Sequence, residues 1–260
     1  MYHSVSNSKE MYRHPYYHTS TSPEVFAEHM KLLAANGYSA VSIGEAVKIL
    51  ENPVAPNARP SETLSNKRIV ITFDDGFRDF YTNAFPALQQ FGFTATVFLA
   101  TGFIDQGLRF NGQACLSWDE VRELKKYGVS FGSHTVNHRV LSTVSKKEFE
   151  YELVCSKERI ESELGEQVEP FSYPFAFPEA NYAHVESLIA ILAKSGYRCG
   201  VTTRIGTASR DDNVFCLKRI PVNSLDDPLL FAAKLEGAYD WLHSVQTLFK
   251  KSRELSAMEF

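Results

Sequence analysis

The chain has 260 residues, 44% apolar and 22% charged, with a formal net charge of −4, which suits one α/β domain with an ample buried core. It lacks the basic footprint of a nucleic-acid binder, has no apolar run long enough to cross a bilayer, and shows no basic-then-apolar secretory leader. The expected compartment is therefore the cytoplasm, or the exterior if an upstream segment belongs to the chain. In keeping with a reducing compartment, the scattered Cys115, Cys155, Cys199 and Cys216 form no C-x-x-C pair and read as reduced core thiols.

The opening stretch "MYHSV" (1–5) alternates like the inside of a strand. "TSPEVFAEHMKLLAANGY" predicts a helix capped by Ser22, with Pro23 at the first helical position and Gly37 as its stop. Phe26, Met30 and Leu33 share its inner face, which leaves His29 on the surface. Residues 44–50 predict a short helix, and the Pro/Asn/Ser-rich residues 51–67 a flexible loop. "RIVITF" (68–73) predicts a strand buried on both faces, "DFYTNAFPALQQFG" a helix bent at Pro86, and "FTATVFLA" (93–100) a second buried strand. "SWDEVRELKKYG" has a capping box at Ser117 and Glu120 and closes at Gly128. "VSFGSHTVNH" (129–138) is a strand running into a loop. A long helix follows, with a capping box at Ser145 and Glu148. The rest reads as a strand at Phe171–Tyr173, a helix in "VESLIAILAKSGY", strands in "RCGVTT" and "VFCLKRIPV", and mostly helix over 226–249. Strands alternating with helices imply parallel pairing. That is a parallel barrel or a doubly wound open sheet, and either one gathers the residues that follow the strands on one rim.

Two motifs on that rim carry chemistry. In "ITFDDGF", Asp74 and Asp75 are adjacent carboxylates at the end of an apolar strand, where burial together is costly without a cation. In "SHTVNH", His134 and His138 are four apart, a spacing that sets both imidazoles on one face of a helix or tight helical turn. Two neutral imidazoles and one carboxylate make a three-donor metal site with room for water and substrate. Among the other histidines, His14 and His18 share the spacing, but Pro15 disfavours a helix there. His184 and His243 are ordinary helix residues, with His243 beside Trp241 held in reserve.

The order "TFDDG", "SHTVNH", "YPFA" resembles the polysaccharide deacetylases, the family 4 carbohydrate esterases with the NodB homology domain. The resemblance runs over nearly the whole chain. It implies an α/β fold, a distorted (β/α) barrel of the NodB type, as a single domain over 1–260. It also implies that Asp74 is the general base and that Asp75, His134 and His138 hold one divalent metal, with zinc expected and nickel, cobalt or iron as alternatives. Around Tyr173, Pro174 and Phe175 it implies substrate and oxyanion contacts, with a backbone N–H near Phe175 as the donor. "MYHSV" resembles the "YH" segment of the circularly permuted poly-N-acetylglucosamine deacetylase subgroup, which makes His3 the general acid. The chain departs from the third motif twice. The family has arginine two residues before the proline and glycine two after it, and here those positions are Ser172 and Ala176. Arg219 in "KRIPV" is the candidate to orient Asp74 in place of that arginine, and Tyr173, Phe175 and Phe177 are candidates to line a sugar groove.

The implied function is metal-dependent removal of an N-acyl group, most simply acetyl, from an amino sugar or glycan. Two alternatives are a carbohydrate-binding protein that keeps the fold without turnover, motivated by the missing arginine and glycine, and a deacylase of a small metabolite. A glycosidase ranks last, because its two carboxyl groups must lie roughly 5–10 Å apart across the sugar, which adjacent aspartates arrange poorly.

Overall fold

The computed structural model describes residues 1–8, 18–52, 67–179 and 181–246. Six parallel strands lie side by side in the order Leu217–Arg219, Cys199–Ile205, Pro170–Ser172, Ser130–Ser133, Thr96–Leu99, Thr72–Phe73. Neighbours in this sheet follow one another in the chain, as a β/α wind requires, and α-helices fill all but the last connection, which holds only a 3₁₀ turn at Val214–Cys216. Thr96–Leu99 is buried at every position, as expected of a strand covered on both faces.

The two edge strands do not pair with each other; the N-terminal segment lies between them. The Tyr2 N–H donates to the Thr72 carbonyl at 2.8 Å, and the Asp74 N–H donates to the Tyr2 carbonyl at 3.1 Å. On the other side the Met1 nitrogen donates to the Ile220 carbonyl at 2.8 Å, and the Val222 N–H donates to the Met1 carbonyl at 3.0 Å. The chain then continues as Ser4–Val5, paired in parallel with Ser20–Thr21. This bridge makes the curled sheet a distorted (β/α) barrel rather than a doubly wound open sheet.

The helices start where their caps dictate. Ser22 accepts from the Val25 N–H, and capping boxes form at Ser117 with Glu120 and at Ser145 with Glu148. A further box at Ser42 and Glu45 starts the second helix at Ile43, and it runs to Glu51. Glu51 is thus helical and Lys67 already in a strand, while residues 53–66 of the expected loop lie outside the described residues. His14 and residues 247–249 of the last expected helix lie outside them too. That last region is broken: a helix covers Pro228–Leu235, Gly237 turns the chain at φ 82, and helix resumes over 242–246.

Other expectations need correction. The strand expected at 68–73 is two strands. Lys67–Ile69, with Lys67 and Arg68 exposed, pairs outside the barrel with Tyr38–Ala40, and only Thr72–Phe73 joins the main sheet. The helix with Pro86 opens as a π-turn over Phe80–Ala84, in which the Phe85 N–H reaches back to the Phe80 carbonyl. Proline supplies no N–H to continue an ordinary ladder. His29 is buried rather than on the surface, because a second layer covers it. It stacks on Phe231 with centroids 4.0 Å apart and donates from Nε2 to the Asp226 carbonyl at 2.7 Å, leaving Nδ1 to accept from the Tyr2 hydroxyl at 3.1 Å. The cysteines are all free, but only Cys199 and Cys216 are core residues; Cys115 and Cys155 are partly exposed. No helix among the described residues is long and apolar enough to cross a membrane.

One close approach sets the spacing at the sheet's centre. Gly132 pairs with Phe98 on the adjacent strand, whose ring folds across it. A Cβ at Gly132 would lie 2.6 Å from that ring and 2.7 Å from the Pro170 carbonyl oxygen. Gly132→Ala is expected to destabilise the fold by about 1–3 kcal/mol through overpacking, measured by urea unfolding; unchanged stability would show that the strands can part there freely.

Candidate active site

Thr72–Phe73 delivers Asp74 and Asp75 to the barrel rim, and the backbone then turns sharply. Asp75 and Gly76 both have left-handed φ, 71 and 67. The two carboxylates therefore diverge. Asp75 faces two histidines, and Asp74 faces Arg219 and His3.

Asp75 Oδ1 lies 3.4 Å from His134 Nε2 and 3.2 Å from His138 Nε2, and the two Nε2 atoms are 3.1 Å apart. His134 Nδ1 is 2.8 Å from the Ser172 carbonyl oxygen. A carbonyl can only accept, so Nδ1 carries the proton and Nε2 presents its lone pair. Asp75 Oδ1 is buried without a hydrogen-bond partner among the described residues. Burial opposes charge on Asp75, but the histidines hold its carboxyl well below the usual range. Burial likewise opposes charge on His134, yet Asp74 and Asp75 outweigh it and raise the imidazole's pKa. Three potential metal-donor atoms converge in a field that favours positive charge, and this donor set fits one divalent cation with positions left open.

The turn that carries both imidazoles is not helical, contrary to the reading from the i, i+4 spacing. Thr135 and His138 are left-handed, at φ 68 and 50, and the His138 N–H donates to Thr135 Oγ1 at 2.9 Å. The buried carboxylate of Glu152 accepts from the Val136 and Asn137 N–H groups, each at 2.8 Å. Those bonds satisfy two amides of the turn from outside it. Sequence reasoning missed Glu152. Its signal was present: it falls in the buried stripe Phe149, Glu152, Leu153, Ser156, Ile160 of the helix Lys146–Leu164, a helical-face pattern interrupted by one charge.

Asp74 is gripped at two points. Arg219 donates through its two terminal nitrogens to Asp74 Oδ1 and Oδ2, both at 2.7 Å. The guanidinium is held in turn by the Thr202 carbonyl at 3.0 Å, Ser172 Oγ at 3.0 Å and Thr72 Oγ1 at 3.3 Å. Ser172 also donates to Asp74 Oδ1 at 3.2 Å. Burial pushes the Asp74 pKa up, but the Arg219 charge outweighs it and keeps the carboxyl well below its ordinary range. Asp74 is therefore ionised although nearly inaccessible.

His3 Nε2 lies 4.0 Å from Asp74 Oδ2. It stands beside Asp74 rather than across the site. Burial lowers its pKa, opposed by the charges of Asp75 and Asp74.

The aromatic residues divide differently from the sequence reading. Tyr173 is fully buried, packed between Phe171 and Phe177, and its N–H donates to the Val201 carbonyl at 3.1 Å. Neither its side chain nor its amide faces the groove, because it belongs to the barrel core. Phe177 is core as well, and Pro174 is buried and has no N–H to offer. Only Phe175 faces out, 48% exposed, against His138 at 4.5 Å between centroids. His138 also meets Phe110 at 4.7 Å, which the sequence reading did not include. The left-handed residue of this loop is Phe175, φ 58, not Ala176, so the glycine-to-alanine departure brings no backbone conflict.

The sequence model of the polysaccharide deacetylase family matches residues 61–199. YxkH of Bacillus subtilis, assigned by name to that family, is 31% identical over 237 residues, covering 91% of this chain and 75% of its own length. A poly-β-1,6-N-acetyl-D-glucosamine N-deacetylase of Staphylococcus epidermidis is 26% identical over 226 residues, covering 85% of this chain and 72% of its own. Among solved structures, the Streptococcus pyogenes deacetylase PplD in complex with acetate superposes with a TM-score of 0.73 at 26% identity, covering 90% of this chain and 95% of that one.

Arg219→Met leaves a buried carboxylate without its counter-charge and is expected to lower stability by about 3–5 kcal/mol, read by urea unfolding. Arg219→Lys keeps the charge without the two-point grip. Once the guanidinium's hold weakens, burial raises the Asp74 pKa, so the acid limb of kcat/KM moves to higher pH. An acid limb that stays in place would show that Arg219 does not govern Asp74.

Proposed function

The chain belongs to the polysaccharide deacetylase family, and from that membership we propose a metal-dependent hydrolase that removes the N-acetyl group from an amino sugar of a glycan. The observation that carries this reading is the convergence of Asp75, His134 and His138 beside an ionised, Arg219-held Asp74. Asp75, His134 and His138 would hold the cation, which when bound supplies Lewis acidity that acidifies water and polarises an amide carbonyl. Zinc suits three nitrogen and oxygen donors.

The remaining chemistry falls to this chain's own groups. Asp74 accepts the proton of the attacking water, and Arg219 keeps it ionised and aimed while it waits. The amine leaves badly without a proton. His3 supplies one, and its lowered pKa makes it a stronger acid toward a departing amine. With Nε2 and Oδ2 4.0 Å apart, acid and base can serve the leaving nitrogen and the attacking oxygen of one tetrahedral carbon. The products are acetate and the free amino sugar. Phe175, exposed beside His138, offers an apolar face suited to a sugar ring or an acetyl methyl.

A binding-only reading rested on the missing arginine and glycine. Arg219 offers a guanidinium to Asp74 from another strand, and the left-handed residue of the loop is Phe175, so neither ground favours that reading now.

Zinc-loaded protein is expected to release acetate from a β-1,6-linked N-acetylglucosamine oligomer. No acetate from any N-acetylated glycan would overturn the proposal, and release from the monosaccharide alone would move the substrate to a small metabolite. His3→Ala should lower kcat by about 10²–10⁴-fold with zinc content unchanged, and should remove the alkaline limb that His3 deprotonation sets. His134→Ala should lose zinc as well as turnover.

A further inference from the structure

We propose that Glu152 is a positioning residue that holds the His134–His138 turn in its cation-ready shape; this rests on reading Asp75, His134 and His138 as a metal site. A turn with two non-glycine residues in the left-handed region does not hold itself. Here its backbone is clamped from two sides. On one side Glu152 Oε2 accepts from both the Val136 and Asn137 N–H groups at 2.8 Å, while Oε1 accepts from Asn137 Nδ2 at 2.7 Å. On the other side the Thr135 carbonyl accepts from the Thr101 N–H at 3.1 Å, and the Val136 carbonyl accepts from the Gly102 N–H at 2.9 Å.

The second clamp depends on glycine, since a Cβ at Gly102 would lie 2.8 Å from the Val136 oxygen. The helix bearing Glu152 also holds the residue before the first ligand, through Ser156 Oγ and Ser133 Oγ at 2.6 Å. Glu152 is itself buried and touches neither imidazole. It acts through the peptide groups between them, its two side-chain oxygens taking three N–H donors of the turn. With those bonds gone, the peptide groups between the two imidazoles lose their hold on that side, which keeps only the Ser156–Ser133 contact next to His134.

The test is calorimetric titration of zinc into apo-protein. Glu152→Leu removes both acceptor oxygens and is expected to raise the zinc Kd by about 10–100-fold, as loss of outer ligand support does. The circular dichroism of the apo-protein should stay close to wild type, while its unfolding temperature should fall, because the Val136 and Asn137 amides lose their acceptor. Glu152→Gln should stay near wild type in affinity, because its oxygen can serve both amides while the Asn137 side chain turns over to offer its own oxygen. Saturating zinc should restore the kcat of Glu152→Leu when assayed well below the unfolding temperature of its apo form, where the unfolded fraction contributes nothing. If Glu152→Leu does not fold, Asn137→Ala removes one of the three bonds and should raise the Kd to a lesser degree. An unaltered Kd in the folded variant overturns the role of Glu152 alone. Wild type binding zinc no better than His134→Ala overturns the metal reading and this inference with it.

Discussion

The buried ion pair between Arg219 and Asp74 joins the last strand of the sheet to the first, and much of the site's logic follows from it. The two residues stand 145 positions apart in the chain, on edges that share no ladder of their own. A carboxylate in such a place would ordinarily take up a proton rather than stay charged. Two 2.7 Å bonds from one guanidinium reverse that preference. The arrangement is weak evidence for net stability, because desolvation offsets much of the attraction. Its stronger consequence is chemical: a buried carboxylate whose pKa is held low and whose direction is fixed, as the proposed base requires. The same seam receives the N-terminal segment, whose Tyr2 carbonyl accepts the Asp74 N–H. The base, its orienting cation and His3 therefore meet where the barrel closes.

Strain gathers at the same rim. Among the described residues, five non-glycine residues have positive φ: Asp75, Asn111, Thr135, His138 and Phe175. Asn111 belongs to the Asn-Gly turn of the hairpin that presents Phe110, where such backbone is cheap. The other four carry a carboxylate ligand candidate, the turn between two imidazoles, and the exposed aromatic beside them. Each is over-determined by neighbours: Leu99 crowds the backbone after Asp75, Glu152 and Gly102 bracket the histidine turn, and Thr203 donates to the Phe175 carbonyl at 3.0 Å. Unstrained backbone would point these side chains elsewhere, so the surrounding core stabilises a geometry that the loops alone would not keep.

What was legible in the sequence follows from range. Strand-following carboxylates and histidines are visible because an apolar run announces the strand and the polar residue after it stands out. Caps at Ser22, Ser117 and Ser145 are visible because their partners lie three residues away. The i, i+4 histidines brought the right side chains together in the reading for the wrong reason, since a helix and a doubly left-handed turn can both close that spacing. Tyr173 and Phe177 could not be told from Phe175, because aromatic residues around prolines carry no marker of which one faces inward. His29 looked like a surface residue because Phe231 and Asp226, about two hundred positions away, are what cover it. The Asn111–Gly112 pair was a readable hairpin signal, and Phe110 beside it could have been found.

Ser172 and Arg219 are best understood as one device. An arginine at 172 would enter this site from the strand Pro170–Ser172, two places from that of Arg219, and compete for the space of the Arg219 guanidinium, with two buried cations facing one carboxylate. A serine there does the opposite. It is short enough to let Arg219 reach across from the last strand, over the Phe98 ring at 5.8 Å. Its hydroxyl then accepts from the guanidinium at 3.0 Å while donating to Asp74 at 3.2 Å. Asp74, the proposed base, is thus held by three polar atoms in a closed circuit, and the Ser172 carbonyl fixes the His134 tautomer from the same residue. A small side chain at this position couples the orientation of the base to the orientation of a metal ligand, which a long arginine rooted at 172 could do only by displacing the one from 219.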